Sequence, residues 1–224
     1  MKPAQLAATR LVMTQTENEQ GTRERIDAAI RPAVDADLNA LTATLARAFD
    51  DDPFINWMVM QDKRRARRIF DVMEISLRDL TFPFGEVYTT SSIDGGALWA
   101  PPGKWRLGIL QQLMMLPRLA KVTSWKRFLT VSSGFSALER KHPEAPHYYL
   151  AVLGVEPQMQ GSGLGGQLMR PVLDKCDSEH MPAYLESSKE KNVPLYERNG
   201  FKVTEKYQVP NGGPPMWLMW REPR

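Results

Sequence analysis

The sequence predicts an α/β fold in which a mixed central sheet of about seven strands has helices on its faces. Residues 148–155 form a continuous apolar run with the length and composition of a buried strand. A glycine-rich turn and an amphipathic helical pattern follow this run directly. Segments of strand and helix type also alternate along the rest of the chain, as is typical of an α/β protein.

Composition limits the class of protein. The chain has 224 residues, 42% of them hydrophobic, which is enough for one sizeable core. The net charge of +3 suits a phosphate-bearing cofactor and does not predict a nucleic-acid partner. A single cysteine, Cys176, excludes an internal disulfide and indicates a cytoplasmic location, and we interpret it as a buried helix residue. No apolar run reaches the length of a membrane span, so no membrane partner is expected.

The first half of the chain contains three predicted strands and two predicted helices. We expect residues 1–25 to be a disordered tail and residues 26–224 to form a single domain. The first strand is predicted over 26–33, and the helix that follows it is expected to be capped by Asp35. A second amphipathic helix is predicted to start with a basic cluster over 63–68 and to have its apolar positions over 69–80, and a hairpin joins strands 86–90 and 96–100. Residues 104–141 are predicted to be a helical insertion that determines substrate specificity.

The second half contains the remaining four strands. The helix after the glycine-rich turn has Pro171 in its interior, where we expect a kink. A strand is predicted over 183–187 and a short helix over 192–199, which Gly200 would end in a left-handed conformation. Strands 201–208 and 216–221 are predicted to form an antiparallel pair that closes the sheet.

The glycine-rich turn, residues 160–166, predicts an anion-binding loop. Its backbone N–H groups can approach a phosphate closely, and the positive end of the following helix dipole points the same way. An ATP-type P-loop requires lysine after the last glycine, but Gln167 stands there. Gly161, Gly163 and Gly166 satisfy the dinucleotide pattern G-x-G-x-x-G. However, five residues separate the strand from the first glycine, so an NAD-dependent oxidoreductase is the weaker alternative.

Two further patterns point to one family. Gln160-x-x-Gly163-x-Gly165 and the later run from Asn192 to Phe201, NVPLYERNGF, resemble the GNAT superfamily of N-acetyltransferases, and in particular its puromycin N-acetyltransferase-like members. The resemblance is dense over 146–204 and thin over 54–145. It implies the GNAT fold, in which a splayed central strand pair binds coenzyme A, and acetyl-CoA as co-substrate without a metal. The acceptor would be a primary amine of a small molecule that attacks directly in a ternary complex, in a protein that is a monomer or a homodimer.

The resemblance also implies where the cofactor binds. Backbone amides near the end of the central strand would contact the cofactor and its carbonyl, with Gly154 at a local bulge. The glycine loop would hold the pyrophosphate, and Asn192 would bond the pantetheine end. The implied cofactor-binding residues are Leu153, Gly154, Val155, Gln160, Gly161, Ser162, Gly163, Leu164, Gly165, Gly166, Asn192 and Tyr196.

Two residues are implied for the chemistry. Tyr196 would protonate the departing thiolate, because a phenol stays protonated at neutral pH. Glu186 is either the general base that deprotonates the amine or a structural carboxylate. A non-catalytic acyl-CoA sensor is the alternative from a different functional class.

Candidate acceptor contacts come from the aromatic residues of the first half. Phe54 and Trp57 follow the first helix, where GNAT enzymes bind the acceptor, and they are either substrate contacts or core residues. Trp99 faces either the acceptor pocket or the core. His142 and His147 flank a proline-rich segment without further clustered ligands, which does not predict a metal site.

Overall fold

The structure is a computed structural model that describes residues 28–106, 117–118 and 120–224. The expected tail at 1–25, the start of the predicted first strand and residues 107–116 of the predicted insertion lie outside the described residues. In the part that is described, no helix is long and apolar enough to cross a membrane.

Seven strands of the described chain form one mixed sheet in the order β1-β2-β3-β4-β5-β7-β6. Of these neighbouring pairs, β4 and β5 run parallel and the others antiparallel. This order confirms the predicted mixed sheet and differs from a doubly wound parallel sheet, so it does not support the dinucleotide reading of the glycines. The strands are β1 Ile30–Pro32, β2 Val87–Thr90, β3 Gly95–Ala100, β4 Tyr148–Val155, β5 Ala183–Ser187, β6 Lys202–Gln208 and β7 Pro215–Arg221.

Helices cover both faces of the sheet. On one face α5 packs against β3 and β4 through side chains such as Leu168 and Val172. On the other face α1 and α3 form a second core cluster that includes Leu45 and Ile69. Pro171 lies inside the continuous α5. The helices are α1 Leu38–Ala48, α2 Pro53–Met58, α3 Arg65–Glu74, α4 Trp125–Glu139, α5 Leu164–Ser178 and α6 Val193–Arg198; a π-helix, Ile75–Thr81, continues α3.

The entry to α1 differs from the predicted cap. A short 3-10 turn, Asp35–Asp37, precedes the helix, and the side chain of Asp35 does not cap it. Instead, Asp37 Oδ2 accepts a hydrogen bond of 2.9 Å from the Val34 backbone and pairs with Arg31 at 2.6 Å. Asp37, two residues after Asp35, therefore stabilises this turn, because its side chain reaches both the backbone and a cation.

A bulge in β4 changes the direction of its side chains. Two consecutive residues of β3 pair with Val152 and Leu150, so Ala151 is an extra residue in β4. As a result, Ala151 and Val152 both pack toward α1 and α3, whereas Leu150 and Leu153 pack toward α5. The prediction of a bulge at Gly154 is wrong, because Gly154 keeps a regular pairing with β3.

Glycine is required at position 154 for a different structural reason. A Cβ at this position would lie 2.7 Å from Leu45 Cδ2 and 3.2 Å from both the Cβ of Ala48 and Cε2 of Phe49. The glycine therefore allows α1 to approach β4 closely. This contact fixes the helix that forms one wall of the cleft described next.

Candidate active site

The parallel strands β4 and β5 separate and leave a cleft between them. They pair only from Tyr148 to Leu150 on β4 and from Ala183 to Leu185 on β5. Beyond these residues both strands continue without pairing to each other, so their facing backbone groups border the cleft. The predicted splay of the central strands is therefore present. The cleft is lined by Phe49, Asp52, Leu150, Ala151, Val152, Leu153, Leu185, Glu186, Ser187, Ser188, Asn192 and Tyr196.

The glycine loop connects the end of β4 to the start of α5. Gly161 and Gly163 adopt φ values of 84° and 88°, which favour glycine strongly. Within the described chain, the N–H groups of Gly161, Gly163, Leu164 and Gly165 have no hydrogen-bond acceptor. These donors lie at or beside the N-terminus of a fifteen-residue helix. The loop thus has the donors and the dipole that an anionic group requires.

Side chains of the loop bond back to its own backbone. Gln160 Nε2 donates to the Val155 carbonyl at 3.1 Å, and Ser162 Oγ donates to the Met159 carbonyl at 2.7 Å. Both bonds fix the path of the chain between β4 and α5. The side chains of Gln160 and Ser162 therefore shape the loop, whereas its unbonded backbone N–H groups provide the donors for a ligand.

Tyr196 and Asn192 reach the cleft from the segment around α6. Asn192 is the residue before this helix, and Tyr196 is buried one turn further on, with its ring edge-to-face against Phe201. Burial, together with the charge of Asp52, raises the pKa of Tyr196 above that of a free phenol. Its hydroxyl is therefore protonated throughout the physiological pH range and can donate a proton in the cleft.

Glu186 lies at the other side of the cleft and is held by two phenols. Tyr149 and Tyr184 each donate a hydrogen bond of 3.1 Å, one to each oxygen of the carboxylate. Burial and the charge of Glu186 raise the pKa of both tyrosines, so both remain donors. A carboxylate has about four acceptor positions, so two remain for a substrate proton or another donor.

Two histidines that the sequence did not connect with Glu186 lie beside it. His142 Nδ1 is 3.5 Å from Glu186 Oε1, and His142 Nε2 is 2.9 Å from His147 Nε2. Both imidazoles are buried. Sequence spacing contains no signal for this group, because the histidines precede β4 and the glutamate ends β5, about forty residues later. They meet because β4 and β5 are neighbours in the sheet.

An aromatic surface packs against the cluster that includes Tyr184, one of the two phenol donors to Glu186. The ring of Phe54 lies 5.6 Å from that of Trp57 and 5.2 Å from that of Phe135 on α4, measured between centroids. Phe54 and Trp57 are partly buried and pack against the same cluster as Tyr184. Asp52 orients their helix by accepting the N–H groups of Phe54 and Ile55.

Trp99 is not part of this surface. Its side chain is fully buried and packs in the α5 cluster, on the other face of the sheet. The alternative that it contacts an acceptor is therefore wrong. All residues of β3 are buried because helices cover this strand on both faces, which period-two alternation did not indicate.

Comparison with known proteins gives a family match over part of the chain. The family profile described as an acetyltransferase (GNAT) domain matches residues 130–216, which include β4, the glycine loop, α5, β5 and α6. This part of the chain is therefore similar to a GNAT acetyltransferase domain. It is also 28% identical, over 204 residues, to an uncharacterised N-acetyltransferase of Schizosaccharomyces pombe, an alignment covering 84% of this chain and 80% of the relative.

Solved structures share the GNAT fold. An acetyltransferase from Corynebacterium glutamicum, described as related to the histone acetyltransferase HPA2, aligns with a TM-score of 0.69 at 24% identity and covers 89% of this chain and 98% of its own. The polyamine N-acetyltransferase of Drosophila melanogaster aligns with a TM-score of 0.56 at 15% identity, covering 88% and 100%. The relatives and the fold together indicate an N-acetyltransferase.

Two features of the described residues bear on metal and thiol chemistry. No group of three or more histidine, cysteine, aspartate or glutamate side chains there has the arrangement of a metal site. Burial raises the pKa of the Cys176 thiol to about 12, so it is not a thiolate nucleophile at neutral pH. Tyr196 and Glu186 are the titratable side chains with acid–base capacity that face the cleft from β5 and α6.

Proposed function

We propose that this protein transfers the acetyl group of acetyl-CoA to a primary amine of a small molecule by direct attack in a ternary complex. The observation that carries the proposal is that Glu186 and Tyr196 line one cleft, at the point where β4 and β5 separate. One group can accept a proton from the incoming amine, and the other can donate a proton to the departing thiolate.

The residues around the cleft fit the cofactor. The unbonded N–H groups of Gly161, Gly163, Leu164 and Gly165 match the acceptor oxygens of a pyrophosphate. At Leu153 to Val155 the edge of β4 that faces β5 has no strand partner, and it offers hydrogen bonds to an extended pantetheine and to the thioester carbonyl. Asn192 borders the same stretch and can bond the pantetheine amides. Acetyl-CoA supplies the activated acyl group.

The requirement for a base depends on the acceptor. An alkylamine with a pKa near 10.4 costs roughly 4 to 5 kcal/mol to deprotonate at pH 7, whereas an α-amine near 7.7 costs only about 1 kcal/mol. Glu186 is therefore most important for a strongly basic amine. Tyr149 and Tyr184 hold the carboxylate in place by donating one hydrogen bond to each of its oxygens.

The acceptor side favours an amine with a flat or apolar body. Phe54, Trp57 and Phe135 form an aromatic surface, and Phe54 and Trp57 pack against the same cluster as Tyr149 and Tyr184, which hold Glu186. Structures with the same fold include arylalkylamine N-acetyltransferase 2 of Aedes aegypti, with a TM-score of 0.59, and agmatine N-acetyltransferase, with a TM-score of 0.57. A test panel therefore contains arylalkylamines, agmatine, polyamines and puromycin.

The test measures release of free CoA thiol from acetyl-CoA with each amine of the panel. We expect Tyr196→Phe to lower kcat by about 100- to 10,000-fold, because the general acid is removed, while the dissociation constant for CoA changes little. Tyr207→Phe on the edge strand β6 is the matched control and should retain full activity.

Three results would contradict parts of the proposal. Binding of CoA without acetylation of any amine would favour the acyl-CoA sensor. Failure to bind CoA would contradict the role of the glycine loop. An acetylated protein intermediate, detected by mass spectrometry during turnover, would contradict direct transfer.

A further inference from the structure

A continuous series of hydrogen-bonding groups runs from the backbone to Glu186. The Ala145 carbonyl lies 2.6 Å from His147 Nδ1, His147 Nε2 lies 2.9 Å from His142 Nε2, and His142 Nδ1 lies 3.5 Å from Glu186 Oε1. His147 is 1% exposed and His142 7% exposed. Bulk water therefore does not replace these contacts, and the proton positions follow from the groups themselves.

The backbone carbonyl fixes the first proton. A carbonyl can only accept, so His147 carries its proton on Nδ1, and its Nε2 is a bare acceptor in the neutral ring. His142 Nε2 must then be the donor in the contact between the two rings. In the neutral His142 ring, Nδ1 is consequently bare and faces the carboxylate of Glu186. Two lone pairs face each other there, and a single added proton turns this contact into a charge-assisted hydrogen bond.

Neighbouring side chains hold the His142 ring in this orientation. Trp105 stacks on it at a centroid distance of 3.6 Å, and the rings of Tyr149 and Tyr184 meet it edge-on at 4.8 Å and 4.7 Å. Both tyrosine hydroxyls donate to Glu186 and do not compete for the imidazole. The adjacent Lys141 pairs with Glu205 at 2.8 Å, so its charge is directed elsewhere.

We propose that His142 stores the proton that Glu186 removes from the acceptor ammonium, so that Glu186 and His142 act together as a two-membered base. This inference rests on the proposed function, in which Glu186 receives that proton. His142 does not touch the substrate in this arrangement and is a positioning and storage residue for the glutamate.

The proton transfer conserves atoms and charge. One N–H bond of the ammonium breaks, its electron pair stays on the amine nitrogen, and the proton passes through Glu186 Oε1 to form a bond with His142 Nδ1. The products are a neutral amine and an imidazolium–carboxylate pair. The distance of 3.5 Å must shorten for this step, as is usual when a catalytic hydrogen bond tightens on substrate binding.

The proton rests on His142 and not on the second histidine. Burial lowers the pKa of His147, and His142 adds to this effect, so a positive charge on that ring is unfavourable. His147 instead fixes the tautomer of His142. Only the His142 ring has a carboxylate next to its free nitrogen, which stabilises the imidazolium that forms.

The test compares two acceptors that differ in basicity. One is the best primary alkylamine of the panel, and the other is its β,β-difluoro analogue, which has nearly the same shape but is far less protonated at neutral pH. We expect His142→Gln to lower kcat/KM for the basic amine by about 10- to 100-fold and for the fluorinated amine by less than about threefold. The exposed His180 provides the matched control, His180→Gln, which should affect neither amine.

Each result separates this inference from the proposed function. If His142→Gln slows both amines equally, or slows neither, storage of the proton on His142 is wrong. If Glu186→Gln slows only the basic amine while His142→Gln does not, the base assignment stands and the inference alone fails. If Glu186→Gln spares both amines, the base in the proposed function is itself wrong.

A second measurement does not require the variant to fold. NMR of the protein with ¹⁵N-labelled histidine should show His142 protonated on Nε2 and His147 on Nδ1 at neutral pH in the free protein. Addition of the basic amine and a non-reactive CoA analogue should convert His142 to the imidazolium. A free-state proton on His142 Nδ1 with a bare Nε2, or no change on ligand addition, would overturn the inference.

Discussion

The two sides of the cleft present different kinds of chemical groups. The side that we propose binds the cofactor, called the cofactor side, comprises β4, the glycine loop, α5 and α6, and it offers backbone N–H groups whose positions depend on glycine conformations and on one helix N-terminus. The side that we propose binds the acceptor, called the acceptor side, comprises α2, α4, the end of β5 and the segment with His142 and His147, and it offers side chains from four separate parts of the chain. A cofactor common to many enzymes can be held by backbone geometry, whereas an individual acceptor requires particular side chains.

This difference predicts different consequences of mutation. A change that disturbs packing beneath the cofactor side should reduce the stability of the whole domain, because β4 and α5 belong to the main core. A change in the aromatic surface of the acceptor side should alter acceptor binding and leave the fold and CoA binding intact. Three predictions test the distinction, in order of decreasing free-energy effect.

Gly154→Val should cause the largest effect, a loss of about 3 kcal/mol in the free energy of unfolding. A Cβ at Gly154 would lie 2.7 Å from Leu45 Cδ2, and valine adds two further methyl groups. Urea denaturation measures this loss. The double variant with Leu45→Ala should recover part of it, because the shortened side chain makes room. Strict additivity of the two substitutions would contradict the close approach of α1 to β4.

Asp177→Asn should cost about 2 kcal/mol, because it breaks a largely buried ion pair that ties α5 to β7. Asp177 accepts two bonds from Arg221, at 2.8 Å and 2.7 Å, and a third from the Arg224 backbone. Asp174→Asn is the matched control on the same helix, since its pair with Arg170 is exposed and contributes little.

The same pair predicts a dependence on pH. Hydrogen bonds from Arg221 hold the pKa of Asp177 below its usual value. A lowered carboxyl pKa contributes stability that is present above the unfolded-state pKa of about 3.9 and is lost as the pH falls below it. The stability difference between the wild type and Asp177→Asn should therefore shrink in denaturation experiments below about pH 4. A difference that stays constant down to pH 2 would contradict this prediction.

The accuracy of the predictions made from the sequence also differs between the two sides of the cleft. Strands β4 and β5 occur at the predicted residues, and Gly200 has the expected left-handed conformation with φ of 94°. These features depend on neighbouring residues, so a local pattern is enough to find them. The GNAT fold and the divergence of β4 and β5 came from the resemblance, which is also densest in this part of the chain.

The parts that were mispredicted depend on distant contacts. The bulge at Ala151 is set by pairing with β3 more than fifty residues earlier, and the need for Gly154 is set by α1. The contact of His142 and His147 with Glu186 arises from the sheet order alone. Sequence spacing has no information on such pairs, because strand neighbours are chosen by the packing of the whole sheet.

Trp57→Leu should have the smallest effect in free energy and the most local one. We expect KM for the best acceptor to rise about tenfold, which corresponds to about 1.4 kcal/mol, because the leucine retains apolar bulk but loses the ring beside Phe54. The dissociation constant for CoA should stay within about twofold. Leu129→Ala, at a 78% exposed position of α4, is the control and should change neither quantity. Equal weakening of acceptor and CoA binding would remove the distinction between the two sides.

The extra residue in β4 determines the parity of the strand. From Tyr148 to Leu150 the even-numbered residues face α5, whereas from Leu153 to Val155 the odd-numbered residues do. Deleting Ala151 would therefore remove the bulge and leave Leu153, Gly154 and Val155 on their present faces, because Val152 already faces α1. Deleting Leu153 would instead turn Gly154 and Val155 to the opposite faces of the sheet, and Val155 would meet α1 where only glycine fits. The bulge is thus a position at which β4 can be shortened by one residue without inverting the segment that borders the cleft.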